Sequence, residues 1–234
     1  MNHHRLPIAA LAALCWLGAC TTSNPKPALQ QPPKVSQDPA PKTSCEGVAQ
    51  ALAKDAKEDQ EDRAGGWQNI DWEQVGKRDA ARRSRVAQWH KDGCIQGVDA
   101  LFEAALIMQH GNAAEDFMLG YTLLTEAEQL KGETIALRAL AADRWLMNKG
   151  YKQWFLSQAL RPDMESCWCM APFEEDKFTD EERAARGGKT LADATAWLKE
   201  LNSQLPQCAQ APLVCSKEAA SAPADVFPEL QNAK

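Results

Sequence analysis

Apolar positions recur along this chain with the 3.6-residue period of a helix, most densely from Gly97 to Gln158. Three patterns follow one another there, each closed by a glycine. The first runs from about Gly97 to His110, with Val98, Leu101, Phe102, Ala105 and Leu106 as its stripe. The second runs from about Ala113 to Lys131 on Phe117, Tyr121 and Leu124, and Gly132 stops it. The third runs from about Glu133 to Lys149, where Ile135, Ala136, Ala139, Leu140, Ala142, Leu146 and Met147 make one arc. The second and third patterns look like a helical-repeat hairpin, but a tetratricopeptide register anchored on Gly120 fails at its later small positions.

Start and stop signals place four more helices. Thr43 and Glu46 have the spacing of a capping box, so a helix is predicted from about Cys45 to Arg63 on Val48, Leu52 and Ala56. Trp67 to Trp72 reads as a packed loop. Asp71 can cap a helix over Trp72 to Lys91, anchored by Val75, Val86 and Trp89, whose Arg82, Arg83 and Arg85 read as a solvated face. Thr179 to Glu182 opens a short helix closed at Gly187 and Gly188, and a last helix spans about Thr190 to Leu205. The expected fold is all-α: an irregular bundle of antiparallel helices. Residues 44–163 are expected to form the main helical domain, 164–215 a cysteine-containing extension and 216–234 an irregular tail.

The N-terminus obeys different rules. Arg5 precedes an apolar run from Leu6 to Gly18, which has the length of a signal-peptide core rather than of a membrane span. Leu17-Gly18-Ala19-Cys20 resembles the bacterial lipobox. That resemblance implies cleavage before Cys20, leaving 1–19 as the signal peptide, and acylation of Cys20, palmitate included. Thr21 in the next position implies sorting to the outer membrane, facing the periplasm. Residues 20–43 hold the lipidated cysteine and a proline-rich linker, which stretched fully would reach about 70 Å at ~3.1 Å per residue.

Eight cysteines less Cys15 and Cys20 leave Cys45, Cys94, Cys167, Cys169, Cys208 and Cys215. An even number in an oxidising compartment predicts disulfides. Cys45 is expected to join Cys94, while Cys167 and Cys169 pair with Cys208 and Cys215 in an order that spacing leaves open. A metal or redox site at Cys167-Trp168-Cys169 lacks the CxxC or histidine neighbours it would need. No cofactor or metal is expected.

A net charge of −6, with no long basic run, argues against a nucleic-acid partner. The expected partners are the membrane, through the anchor, and a periplasmic protein or cell-wall component. The chain has no GxSxG, P-loop, GxGxxG or HExxH motif. What it has is polar residues at positions a plain core would fill with apolar ones. Asp59 and Arg63 fall on the apolar arc of their helix, and Gln109 and His110 fall on or beside theirs. Asp143 sits at the centre of the third arc with Arg144 next to it, and Gln153 and Gln158 follow. A carboxylate on an apolar face needs a partner, and Arg63 and His110 are the natural ones for Asp143. Two readings stay open: a buried network that sets helix register, or His110 as a general base oriented by Asp143.

Several of these residues carry a resemblance. Asp59-Gln60 with Arg63, Ile70-Asp71, Gln109-His110-Gly111, the alanines up to Gly132, Asp143-Arg144 with Leu146, and Gln153-x-Phe155-x-Ser157-Gln158 are similar to an uncharacterised bacterial helical family, a domain of unknown function. Asp180, Arg183, Gly187 and Leu191 fit the pattern as well. The family occurs often in secreted and lipid-anchored proteins. The resemblance spans most of Ser44 to Leu205 and implies the helical fold and a shared polar set, without a reaction. The chain departs from it at Leu156-Ser157-Gln158, where the family more often has Gly-Thr-Gln.

From the residues, the first functional expectation is a non-enzymatic envelope module that binds a protein or a wall component. The alternative is a periplasmic hydrolase using His110 and Asp143.

Overall fold

The computed structural model describes residues 44–64, 69–163, 165–216 and 218–232. The signal peptide, Cys20, the linker and Thr43 lie outside the described residues, as does part of the loop expected after residue 64. The described chain is mostly helical, with one two-stranded sheet and three disulfides. Its order is α1 (Val48–Glu61), α2 (Trp72–Lys91), α3 (Val98–Met108), α4 (Ala114–Lys131), α5 (Ala136–Asn148), β1 (Ala159–Leu160), β2 (Cys169–Met170), α6 (Asp180–Ala185), α7 (Leu191–Asn202) and α8 (Pro228–Asn232). No described helix is long and apolar enough to cross a membrane.

The polar caps work where the sequence places them. The Asp71 carboxylate accepts from Gln74 N–H, and Thr190 Oγ1 accepts from Asp193 N–H. Thr179 and Glu182 form a reciprocal capping box on α6. Two starts move inward. α1 opens at Val48 after Gly47 rather than near Cys45. α5 opens at Ala136, where the Ile135 N–H is taken by the Glu128 side chain.

α3 is the central helix. It packs on α1, α2 and α4, and α5 packs on α4. Its inward face is Ala100, Leu101, Ala104, Ala105, Ile107 and Met108. The predicted stripe was rotated: Phe102 is exposed, because neighbours on several sides leave the outward strip narrow. Helices α1 and α2 meet through ion pairs. Arg85 clamps Asp55 at 2.8 and 2.9 Å, Arg78 does the same to Asp62, and Arg82 reaches both Asp62 and Asp79. Arg82 and Arg83 of the basic face are therefore not solvated, while Arg85 stays half-exposed. Arg82 keeps 3% of its side-chain exposure, since Glu58 and Asp62 face it across the seam and Asp79 lies one turn back on its own helix.

After α5 the chain leaves the bundle. β1 and β2 pair antiparallel, Ala159 opposite Met170 and Leu160 opposite Cys169. A smaller cluster of Leu156, Met170, Ala194 and Leu198 forms around them. Cys45 joins Cys94 as expected, and the open order resolves as Cys167–Cys208 and Cys169–Cys215. With its sulfurs in disulfides, the Cys167-Trp168-Cys169 segment has no thiolate for a metal. The last segment is only partly the irregular tail expected of it. Ala220 bonds backbone to backbone with Gly150 and Lys152, and Phe227 and Leu230 are buried in the main core. Phe227 lies among the rings of Tyr121, Trp145 and Trp154, and Tyr121 Oη donates to Glu229 at 2.5 Å.

Candidate functional site

The last turn of α1, the end of α3, the middle of α5 and the loop after it bring most of the polar residues into one chain of contacts. Asp59 is fully buried. Arg63, one turn on, donates Nη1 to its backbone carbonyl at 2.8 Å and to its carboxylate at 3.0 Å. The other Arg63 nitrogen, Nη2, donates to Asp79 of α2 at 2.5 Å. His110 Nδ1 stands 2.9 Å from the Asp59 carboxylate, and Gln60 Nε2 donates to it at 2.8 Å. An ionised carboxylate only accepts, so the His110 proton sits on Nδ1 and Nε2 points the other way.

His110 is held in place from behind. α3 ends at Met108, and the turn through Gln109 and His110 leads to Gly111. A Cβ at Gly111 would stand 2.3 Å from Asp116 Cβ, so only glycine lets α4 start this close. The Asp116 carboxylate reaches back to the Asn112 and Ala113 N–H groups, and Arg83 spans from Asp116 to the His110 carbonyl.

Asp143 is fully buried, and its partner is neither Arg63 nor His110. Backbone amides of the following loop close around it instead. Oδ1 accepts from Trp154 N–H at 2.7 Å and Phe155 N–H at 3.0 Å. Oδ2 accepts from Ser157 N–H at 3.0 Å and Ser157 Oγ at 2.7 Å. Burial pushes the Asp143 carboxyl up to about 6, and these donors offset part of that rise. Sequence pattern points to a side-chain partner; the fold supplies main chain, because the loop leaving α5 turns back over its own helix.

Gln153 fixes the far end of the loop. Its side-chain amide donates to the Gln158 and Ala171 carbonyls at 2.9 and 2.8 Å, and its oxygen accepts from Gln158 N–H at 2.9 Å. The Gln158 side chain then lies with Nε2 on Ser157 Oγ at 3.0 Å and Oε1 beside Arg144 Nε at 3.4 Å. Arg144 also donates Nη1 to the Gln109 carbonyl. Burial, and then the nearby Arg63 charge, lower the Arg144 pKa. Gln109 thus joins through its backbone. Its buried side-chain amide has no partner and faces Gly120 of α4, where a Cβ would stand 3.4 Å from Nε2.

Two groups follow from this. Asp59, Gln109, Asp143, Gln153 and Ser157 are buried supports, while Arg63, His110, Arg144 and Gln158 are partly exposed. Sequence reasoning missed Asp79 as a member. Its signal was its place in the Val75, Asp79, Arg82, Val86 row, which has helical spacing and is buried throughout. A cavity of about 310 Å³ sits away from this set, between Trp168, Leu198, Asn202 and Leu213. No described group of three or more His, Cys, Asp or Glu residues is placed to hold a metal. Compared with known proteins, the chain matches no family model, no curated protein and no solved structure.

Proposed function

We propose that this chain is an outer-membrane-anchored lipoprotein whose helical domain acts in the periplasm as a binding module for a protein or an envelope component. The lipobox-like Leu17 to Cys20 and the proline-rich linker support the anchored part of the reading. One observation carries the binding part. The oxygen-bearing groups of the polar set, Asp59, Asp143 and Ser157, are buried and engaged inside the protein. Of the groups that reach the surface, Arg63 and Arg144 only donate, Gln158 both donates and accepts, and His110 presents Nε2. Two guanidiniums on a rigid base suit recognition of an acceptor-rich ligand.

A second reading rests on the Asp59–His110 pair. A buried carboxylate on Nδ1 with Nε2 directed away is how a general base is oriented. In that reading of a periplasmic hydrolase, Asp59 replaces Asp143 as the orienting group, and Asp143 only shapes the loop.

Two experiments separate these. Cys20→Ser should move the protein from the membrane to the soluble fraction; continued membrane retention would remove the anchor. In-cell photocrosslinking from position 60, exposed beside Asp59, should trap one discrete protein or wall-linked product. Turnover of an ester, amide or glycoside that vanishes in His110→Gln, with no crosslinked product, would establish the hydrolase instead.

A further inference from the structure

Arg144 differs from the other arginines around it. All four arginines of α2, and Arg63, meet carboxylates. Arg144 meets two neutral acceptors, the Gln109 carbonyl and the Gln158 amide oxygen, and among the described residues no carboxylate. The acids nearest in the network are committed elsewhere. Asp59 serves Arg63, Gln60 and His110, and Asp143, one residue before Arg144, is closed off by the amides of Trp154, Phe155 and Ser157. A guanidinium does not shed its proton in a protein. A partly buried one, near the Arg63 charge and with only neutral acceptors, favours the approach of an anion.

The surroundings are built rather than incidental. Gln158 is clamped through both backbone groups by the Gln153 amide, so its side chain is presented in one pose beside Arg144. Arg144 Nη2 takes no protein partner and is not sealed inside the protein. The charge count selects the ligand. Arg63, Arg78 and Arg82 are matched one for one by Asp59, Asp62 and Asp79, which leaves the Arg144 charge unmatched with neutral Gln158 as companion. That suits a monoanion, and a planar guanidinium edge suits a carboxylate. A phosphate dianion would bring excess negative charge close to Asp59 and Asp79.

We propose that Arg144, with Gln158 beside it, forms a carboxylate-recognition site that takes the free carboxylate group of an envelope ligand. This rests on the binding-module reading and narrows it. Arg144 and Gln158 hold the carboxylate. Gln153, Ser157 and Asp143 are positioning residues that set the loop.

The test is an NMR titration of the full chain in detergent, following the Arg144 Nε–H and Gln158 side-chain amide signals, with sodium acetate at constant ionic strength. Both signals should shift and saturate in the millimolar range. Arg144→Gln, with its melting temperature checked, should raise the half-saturation concentration at least tenfold, and Gln158→Met should raise it less. The site is overturned by any of three results in the wild type or the folded variants. These are the absence of a saturable shift, a shift unchanged by Arg144→Gln, and saturation by inorganic phosphate at a lower concentration than acetate. The wild-type titration decides alone should Arg144→Gln fail to fold. Crosslinking from position 60 in the same variant separates this site from the broader reading. Acetate binding without any captured product keeps the site and removes the module. A product captured equally well by Arg144→Gln keeps the module and removes the site.

Discussion

At the scale of single residues, Asp143 and Leu156 explain each other. Three amides converge on one carboxylate only if the loop after Phe155 turns sharply, and Leu156 makes that turn at a φ of 55°. This left-handed backbone costs a branched residue about 1–2 kcal/mol. The cost is offset because Leu156 is fully buried against Met170, Ala194 and Leu198. Glycine would suit the backbone better. Leu156→Gly should nevertheless lower stability by about 1–3 kcal/mol, since losing a buried leucine costs roughly 2–5 kcal/mol; a rise in the urea midpoint would refute this balance. Asp143→Asn puts an NH2 against Ser157 N–H or Oγ and should cost about 2–4 kcal/mol at neutral pH. The pH dependence has a definite sign. The Asp143 carboxyl is raised from 3.8 to about 6 in the folded state, so the folded protein holds the proton more tightly. Its stabilising contribution is complete below about 3.8 and is lost as pH rises through about 6. The stability gap between wild type and Asp143→Asn, read by denaturation across that window, should shrink as pH rises.

At the scale of elements, glycine decides how closely the pieces dock. Gly187 ends the turn after α6 at a φ of 81°, and a Cβ there would stand 2.5 Å from Ala136 Cα, backbone at the start of α5. Backbone cannot step aside as a flexible side chain can. Gly187→Ala therefore combines a left-handed penalty with overpacking and should cost about 2–4 kcal/mol. Gly132→Ala has the same sign of φ but open space around it, so it should cost about 1 kcal/mol. Parallel thermal melts compare the two; equal losses would mean that the α5 contact contributes nothing. The α1–α2 seam follows a related rule. Four arginines of α2 face acids, three of them on α1, and the seam holds register by pairing charges where the bundle elsewhere uses apolar stripes.

At the scale of the whole molecule, the C-terminal segment straps the core. Phe227 and Leu230 are nearly or fully buried although more than seventy residues separate them in sequence from α5. Removing everything after Cys215 strips two large side chains from the main core. Deletion should cost about 5 kcal/mol, a large part of the ~5–15 kcal/mol that holds a typical domain together. Limited proteolysis of α4 and α5 reads it out, and unchanged protease resistance would show that the strap is dispensable. The disulfides Cys167–Cys208 and Cys169–Cys215 stop short of this segment, so packing and the hydrogen bonds of Ala220, Glu229 and Leu230 retain it.

Local patterns determine local things, and here they were enough for helix existence and caps. Asp71, Thr179 and Thr190 act within three residues of themselves, so the sequence alone announces them. The Cys45–Cys94 pair, expected to join the first helix to the loop before the third, is found, while the order of the other four needed the fold. Asp59, Arg63, Gln109, His110 and Asp143 were legible because each is a polar residue on or beside the apolar arc of its own helix. Their partners were not, since partnership is a matter of how helices face one another. His110 turned to Asp59, fifty-one positions away, and Asp143 turned to amides that display no side-chain signal at all. The Arg82 face read as solvated because a helix's own sequence cannot show that a row of acids lies opposite. Phe227 and Leu230 read as tail because two apolar residues make no period; only the tertiary fold, by leaving a hole between Tyr121, Trp145 and Trp154, made them core.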